Sequence, residues 1–130
     1  MGALTDAKAY ATVAVSDMQR ATAFYRDTLG LSVVQAIPGI VTTFECGGTR
    51  VEVYQSQFAG TNQATGITFE VADLDGAMAA LRQQGVVFEE YDQPEFKTID
   101  GVAETEDVRS SWLKDPDGNV LSLIEFSRPG

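Results

Sequence analysis

Val13-Ala14-Val15-Ser16-Asp17-Met18-Gln19-Arg20-Ala21 reads as a strand, an Asp and the start of a helix, and Phe69-Glu70-Val71-Ala72-Asp73-Leu74-Asp75-Gly76-Ala77 gives the same reading again. Val15 and Val71, Asp17 and Asp73, Met18 and Leu74, and Ala21 and Ala77 match at a separation of 56 residues. The helices that follow close on Leu29-Gly30-Leu31 and Gln84-Gly85-Val86, so the register holds to within one residue. Self-similarity at this period in a chain of 130 residues marks two copies of one supersecondary unit. A site is expected between the copies.

Working outward, residues 9–15 alternate around Ala11, Val13 and Val15 and predict a first strand. Asp17 suits an N-cap, and Met18, Ala21, Tyr25 and Leu29 form one stripe of an amphipathic helix that ends at Gly30. Val33–Ile37 is a strand stopped by Pro38-Gly39, and Gly47-Gly48 joins strands at 40–46 and 49–55 as a two-residue hairpin. The second copy runs as strand 66–71, a helix capped by Asp73 and ended by Gly85, then strands at 86–91, 108–114 and 119–126. Asp115-Pro116-Asp117-Gly118 supplies the last turn, with Pro at its second position and Gly where φ is positive. Each copy is therefore βαβββ, with a first module over residues 9–56, a second over 65–126, and a single domain across residues 1–130. Residues 92–107 interrupt the second module with Pro94, Gly101 and six acidic side chains. A connection this long is either a solvated acidic loop or a lid.

The composition, 44% hydrophobic and 22% charged, is that of a soluble globular chain. No basic stretch followed by an apolar run opens the sequence, and no segment is long and apolar enough to span a bilayer, so no membrane association is expected. Cys46 stands alone, which excludes an intrachain disulfide and fits a reducing cytoplasm. Nine Lys and Arg against 19 Asp and Glu give a net charge of -10, which argues against a nucleic-acid partner and is compatible with a cationic ligand. The chain contains no His, which removes the usual general base and the commonest metal ligand.

Two βαβββ units, a helix beginning after Val-x-Asp, the phrase Ala23-Phe24-Tyr25 followed by Leu29-Gly30-Leu31, and a closing Asp115-Pro116-Asp117-Gly118-Asn119 hairpin together resemble the vicinal oxygen chelate superfamily. That group includes glyoxalase I, bleomycin resistance proteins, extradiol dioxygenases and fosfomycin resistance enzymes. The resemblance covers roughly residues 9–126. It implies an α+β fold in which two four-stranded sheets make a half-open eight-stranded barrel with the helices outside, and it implies a homodimer. It leaves the chemistry open, because one fold hosts several functions.

In metal-dependent members the ligands stand on the first and last strands of each unit. Carried over position by position, the resemblance points to Tyr10, Glu52, Gly66 and Ser122. Only Glu52 is a good donor. A phenol loses its proton near pH 10, a Ser hydroxyl is a weak ligand and Gly has no side chain, so neither metal nor cofactor is expected.

Strand alternation places Tyr10 and Thr12 on one face of the first strand, Arg50, Glu52 and Tyr54 on the fourth, Gly66 and Thr68 on the fifth, and Ser122 on the last. Trp112 and Phe44 are expected to complete an aromatic wall, although a Trp serves a core equally well. Glu52 either pairs with Arg50 or is a free functional carboxylate. Gly66, lacking a side chain where relatives hold a ligand, would leave room for a bound molecule. The reading that follows is a metal-free protein that sequesters a small aromatic or cationic molecule. A metal-independent isomerase or lyase with Glu52 as general base is the alternative. A metal-dependent lyase or dioxygenase with another ligand set, or a module with no ligand, are the remaining readings.

Overall fold

The computed structural model describes residues 2–94 and 96–127. Glu95, one of the acidic residues of the 92–107 stretch, lies outside them with Met1 and residues 128–130. The first unit runs β1 (Ala11–Val15), α1 (Met18–Thr22, continuing as a wider π turn over Ala23–Thr28), β2 (Ser32–Ile37), β3 (Val41–Cys46) and β4 (Thr49–Gln55). The second runs β5 (Thr65–Glu70), α2 (Leu74–Gln83), three two-residue strands β6 (Asp92–Gln93), β7 (Phe96–Lys97) and β8 (Ala103–Glu104), then β9 (Val108–Lys114) and β10 (Val120–Phe126). The sheets are ordered β1-β4-β3-β2 and β5-β10-β9-β8, each with its first strand parallel to its last and the rest antiparallel. These are two βαβββ modules of an α+β fold, with sheets that do not close. Among the described residues no helix is long and apolar enough to cross a membrane.

Both repeated Asp residues start their helices as the repeat predicts. Asp17 accepts from the N–H groups of Gln19 and Arg20 at 3.0 and 3.2 Å, and Asp73 accepts from Gly76 at 3.1 Å. Gly30 and Gly85 follow the helices at φ 84° and 93°, the left-handed region that ends a helix without a Cβ penalty. One core joins the modules: Val13, Val15, Phe44, Val51 and Val53 of the first sheet meet Ile67, Leu113, Leu121 and Leu123 of the second, with Tyr25, Leu74 and Met78 from the helices.

A buried carboxylate ties the modules together. Asp115, 5% exposed, accepts from the N–H groups of Asp117 and Asn119 in its own turn, from the Asn119 amide, and from the Tyr25 hydroxyl of the first helix at 2.8 Å. The Asn119 amide also donates to the carbonyl of Ala14 on β1 at 2.7 Å. Asp117 accepts from the backbone and hydroxyl of Ser16 and from Arg20. Burial, reinforced by the Asp115 carboxylate, pushes the Tyr25 hydroxyl far above its ordinary pKa and keeps it a donor.

The strand expected at 86–91 does not form. Tyr91 spends its N–H and carbonyl on the hydroxyl and N–H of Thr98, each at 2.8 Å, and Glu89 makes the one backbone bond to β9, to Trp112 at 2.8 Å. The short β8 takes the fourth place, pairing Ala103 and Glu104 with Ser110 and Arg109. The insertion thus pulls its own flank out of the sheet.

Ser111 is fully buried on the core face, and its hydroxyl has no partner among the described residues. Removing Asp115 would strand a phenol, an amide and two N–H groups. Asp115→Ala is therefore expected to cost about 3 kcal/mol or more, Tyr25→Phe about 1 kcal/mol, and Ser111→Ala nothing or a small gain, all read by urea unfolding.

Candidate functional site

The faces turned away from the helices carry most of the residues singled out from the sequence, in two groups. On the first sheet Thr12 and Thr43 flank Glu52 in register, Tyr54 pairs with Ala14 and Val41, and Arg50 pairs with Glu45. Tyr10 lies just before β1, and the Arg50 guanidinium sits 6.0 Å from its ring centroid. A cavity of about 430 Å³ opens there, lined by Lys8, Tyr10, Glu45, Thr49 and Arg50 among others. Tyr10 and Tyr54 remain 38% and 40% exposed. On the second sheet Thr68, Ser122 and Trp112 form one cross-strand row.

Phe44 does not belong to this face. It is fully buried under the first helix, 5.8 Å from the Tyr25 ring, opposite Val51. Thr43, itself buried, and the exposed Glu45 stand on the opposite face in its place. The sequence contained the signal: a two-residue Gly47-Gly48 loop pairs Phe44 with Val51, and Val51 alternates with Glu52. Gly66 does not leave a vacancy for a ligand either. It is the extra residue of a bulge between Thr65 and Ile67 on β5, and a Cβ there would stand 3.4 Å from Val13 of the neighbouring sheet.

Trp112 is covered by the chain itself. Phe96 and Tyr91 pack edge-on against the indole, with centroids at 4.8 and 5.7 Å. β6 and β7 pair antiparallel, and Phe96 of β7 lies against the indole where a ligand of Trp112 would sit. The rest of the insertion is fastened by Glu90, whose carboxylate accepts from the Thr98 hydroxyl at 2.6 Å and from the Gly101 N–H at 2.8 Å. Those two bonds hold the Glu90 pKa below its ordinary 4.5.

Glu52 and Arg50 share a face without forming an ion pair among the described residues. Of the four positions to which the family resemblance points, Tyr10, Glu52, Gly66 and Ser122, Gly66 offers no side-chain donor and Tyr10 and Ser122 offer only hydroxyls. Among the described residues, no three Asp, Glu or Cys side chains converge in a way that would hold a metal ion. The donor set does not fit a divalent ion.

A face of this kind on two βαβββ modules defines a class. The profile of the Glyoxalase/Bleomycin resistance protein/Dioxygenase superfamily matches residues 9–123, and the chain belongs to that superfamily. Its structure is similar to that of a glyoxalase family protein from Bacillus anthracis, with a TM-score of 0.74 and 22% identity over 98% of this chain and 100% of that one. It is similar to TnmS3, an antibiotic binding protein from a Streptomyces species, with a TM-score of 0.69 and 24% identity over 95% and 99%. A glyoxalase/bleomycin resistance protein from the same Streptomyces source gives 0.64 and 26% over 90% and 98%. No functionally curated protein matches the sequence significantly.

Because the folded-state pKa of Glu90 is depressed, its tie to the insertion is fully present above pH 4.5 and is lost as pH falls through the lower folded value. Protection of the Thr98 and Gly101 amides against exchange is expected to fall as pH drops through that lowered value, ahead of β9 and β10. Glu90→Gln should produce the faster exchange already at pH 7.

Proposed function

We propose that the chain is a metal-free small-molecule binding protein of the sequestration or resistance type, working as one unit of the modules 9–56 and 65–126. Its ligand is a small aromatic or cationic molecule seated on the open face of the first sheet. The observation that carries this is Glu52. Its half-buried carboxylate sits mid-sheet between Thr12 and Thr43 with no hydrogen bond or ion pair among the described residues, while Tyr10 and Tyr54 stand nearby with exposed rings. A carboxylate partly withdrawn from water and left unpaired is a cost that a cation recovers, and exposed phenols supply the stacking surface. The likeness to an antibiotic binding protein supports the same reading.

The free carboxylate also supports the alternative, an isomerase or lyase with Glu52 as a metal-independent general base. A homodimer belongs to this proposal too. All six residues of the edge strand β2 are exposed, Val33, Val34 and Ile37 among them, and a second copy would cover that apolar edge. A lone unpaired Cys46 supports a cytoplasmic setting.

Thermal-shift screening against aromatic cations and neutral aromatics tests the binding reading, since a ligand of the folded state raises Tm. Aromatic cations are expected to raise it, and Glu52→Gln to weaken their binding by about tenfold while sparing neutral aromatics. Retained affinity with lost turnover in the same variant would move the assignment to the general base. A stoichiometric transition metal in protein purified without chelator would overturn the metal-free reading.

A further inference from the structure

A second cavity, of about 560 Å³, lies between α2, the insertion and the start of β9, and shares no residue with the face that carries Glu52. Its size is that of a small-molecule site. The helix presents Asp75, Met78 and Arg82 to it, positions that share one helical stripe. Opposite them runs a tight hairpin, Ile99-Asp100-Gly101-Val102, in which Asp100 and Gly101 both have positive φ (52° and 82°) and Ile99 and Val102 exchange backbone bonds at 2.8 and 3.0 Å. The tip is pressed against the module: a Cβ on Gly101 would meet Phe88 at 3.1 Å, Met78 at 3.2 Å and Arg82 at 3.3 Å. This wall is built before any ligand arrives.

The charges of the wall are unlike those of the rest of the chain. Three of the nine Lys and Arg line this one cavity, in a protein with 19 acidic residues. Arg109 is already engaged, by Asp75 at 2.9 Å and Glu104 at 3.0 Å. Arg82 is not. It gives one N–H to the Asp100 carbonyl at 3.1 Å and lies 5.2 Å from the Phe88 centroid. No carboxylate among the described residues stands within ion-pair distance of it, Glu90 being turned to Thr98 and Gly101. Among the described residues Lys97 pairs with Asp92, at 3.8 Å, with both side chains largely in solvent. Asp100 is the one remaining acid on the wall, against two cations with donors to spare. Met78 and Val102 make an apolar floor, and Ile99, 72% exposed, overhangs the mouth.

The geometry points to a binding site for a small organic anion, with a carboxylate or phosphate head held between Arg82 and Lys97 and an apolar body lying over Met78, Val102 and Ile99. Paired cationic donors beside an apolar strip favour such a molecule over either a free inorganic anion or a neutral hydrocarbon. The net charge of -10 works against any non-specific uptake of anions, so binding here requires a local site.

Calorimetric titration of the full chain with octanoate and with octyl phosphate tests this, with octanol and octyltrimethylammonium as controls. At least one anion is expected to bind saturably at one per chain, with octanol weaker by about tenfold or more. A preference between the two anions identifies the head group. Lys97→Glu, at an exposed position, is expected to weaken binding by about tenfold or more and Lys97→Arg to preserve it, with Arg82→Gln as a second removal of the head-group contact. The site is refuted if neither anion binds, if octanol binds as well as the anions, or if Lys97→Glu leaves affinity unchanged in a folded variant. Loss of anion binding in Glu52→Gln would also refute it, by placing the anion on the other face.

Discussion

The constraint on which the structure depends is the burial of the Asp115 carboxylate. A charge 5% exposed must find its hydrogen bonds inside the protein, and its donors come from its own turn, from the first helix through Tyr25, and from Asn119, which also binds β1 at Ala14. The set can be completed only when both modules are in place. The π turn over Ala23–Thr28 carries Tyr25 in its middle, fully buried against Phe44 and Phe24. The final hairpin is thus less a way of reversing the chain than the clasp that sets one module against the other. Asp117 extends it outward to Ser16 and Arg20, joining the last turn to the start of the first helix.

The clasp and the shared core commit one face of each sheet, and what separates the two modules is the fate of the other face. In the second module the chain covers its own Trp112: the pairing of β6 with β7 lays Phe96 on the indole, and Glu90 fastens the neighbouring segment through Thr98 and Gly101. In the first module nothing equivalent is inserted between strands, and Tyr10, Thr12, Arg50 and Tyr54 stay open. Two copies of one unit therefore give one face capped by its own chain and one that is available. The functional reading falls on the first sheet for that reason, rather than on the row of Thr68, Trp112 and Ser122.

Much of this was legible in the residues. The 56-residue repeat fixes both helices, and both Asp caps sit where it places them, because capping is a local interaction that needs no partner from elsewhere. The faces of β1 and β4 follow from alternation. Phe44 was misplaced through a register choice that the Gly47-Gly48 hairpin already decided, since a slip of one residue moves every side chain to the other face. Asp100-Gly101 between Ile99 and Val102 is a hairpin signal of the same kind, hidden inside a stretch that reads as an acidic loop. The failure of the strand at 86–91 was not legible. Its residues suit a strand, and what displaces them is the pairing of Tyr91 with Thr98, a tertiary choice with no mark in local propensity. The role of Gly66 was equally hidden, because a bulge and a vacated ligand position both read as a missing side chain.

Charge shows the same difference between a whole-chain property and a local one. A balance of 9 cations to 19 acids suits a cationic partner for the molecule taken as a whole. At physiological ionic strength, however, exposed charges are screened beyond about 8 Å, so a ligand in a cavity responds mainly to the wall around it. The wall around Arg82 and Lys97 carries three cations against three acids, a balance unlike the acidic excess of the whole chain, and the insertion contributes Lys97 to it. It brings Lys97 and the Asp100 carbonyl to Arg82, while the acids that also reach that wall, Asp75 and Glu104, are held by Arg109. The same segment that lays Phe96 on Trp112 therefore helps to form, beside the helix, a wall on which Arg82 and Lys97 keep donors to spare. One insertion into one copy of a repeat is enough to give a chain of uniform acidic character two chemically distinct surfaces.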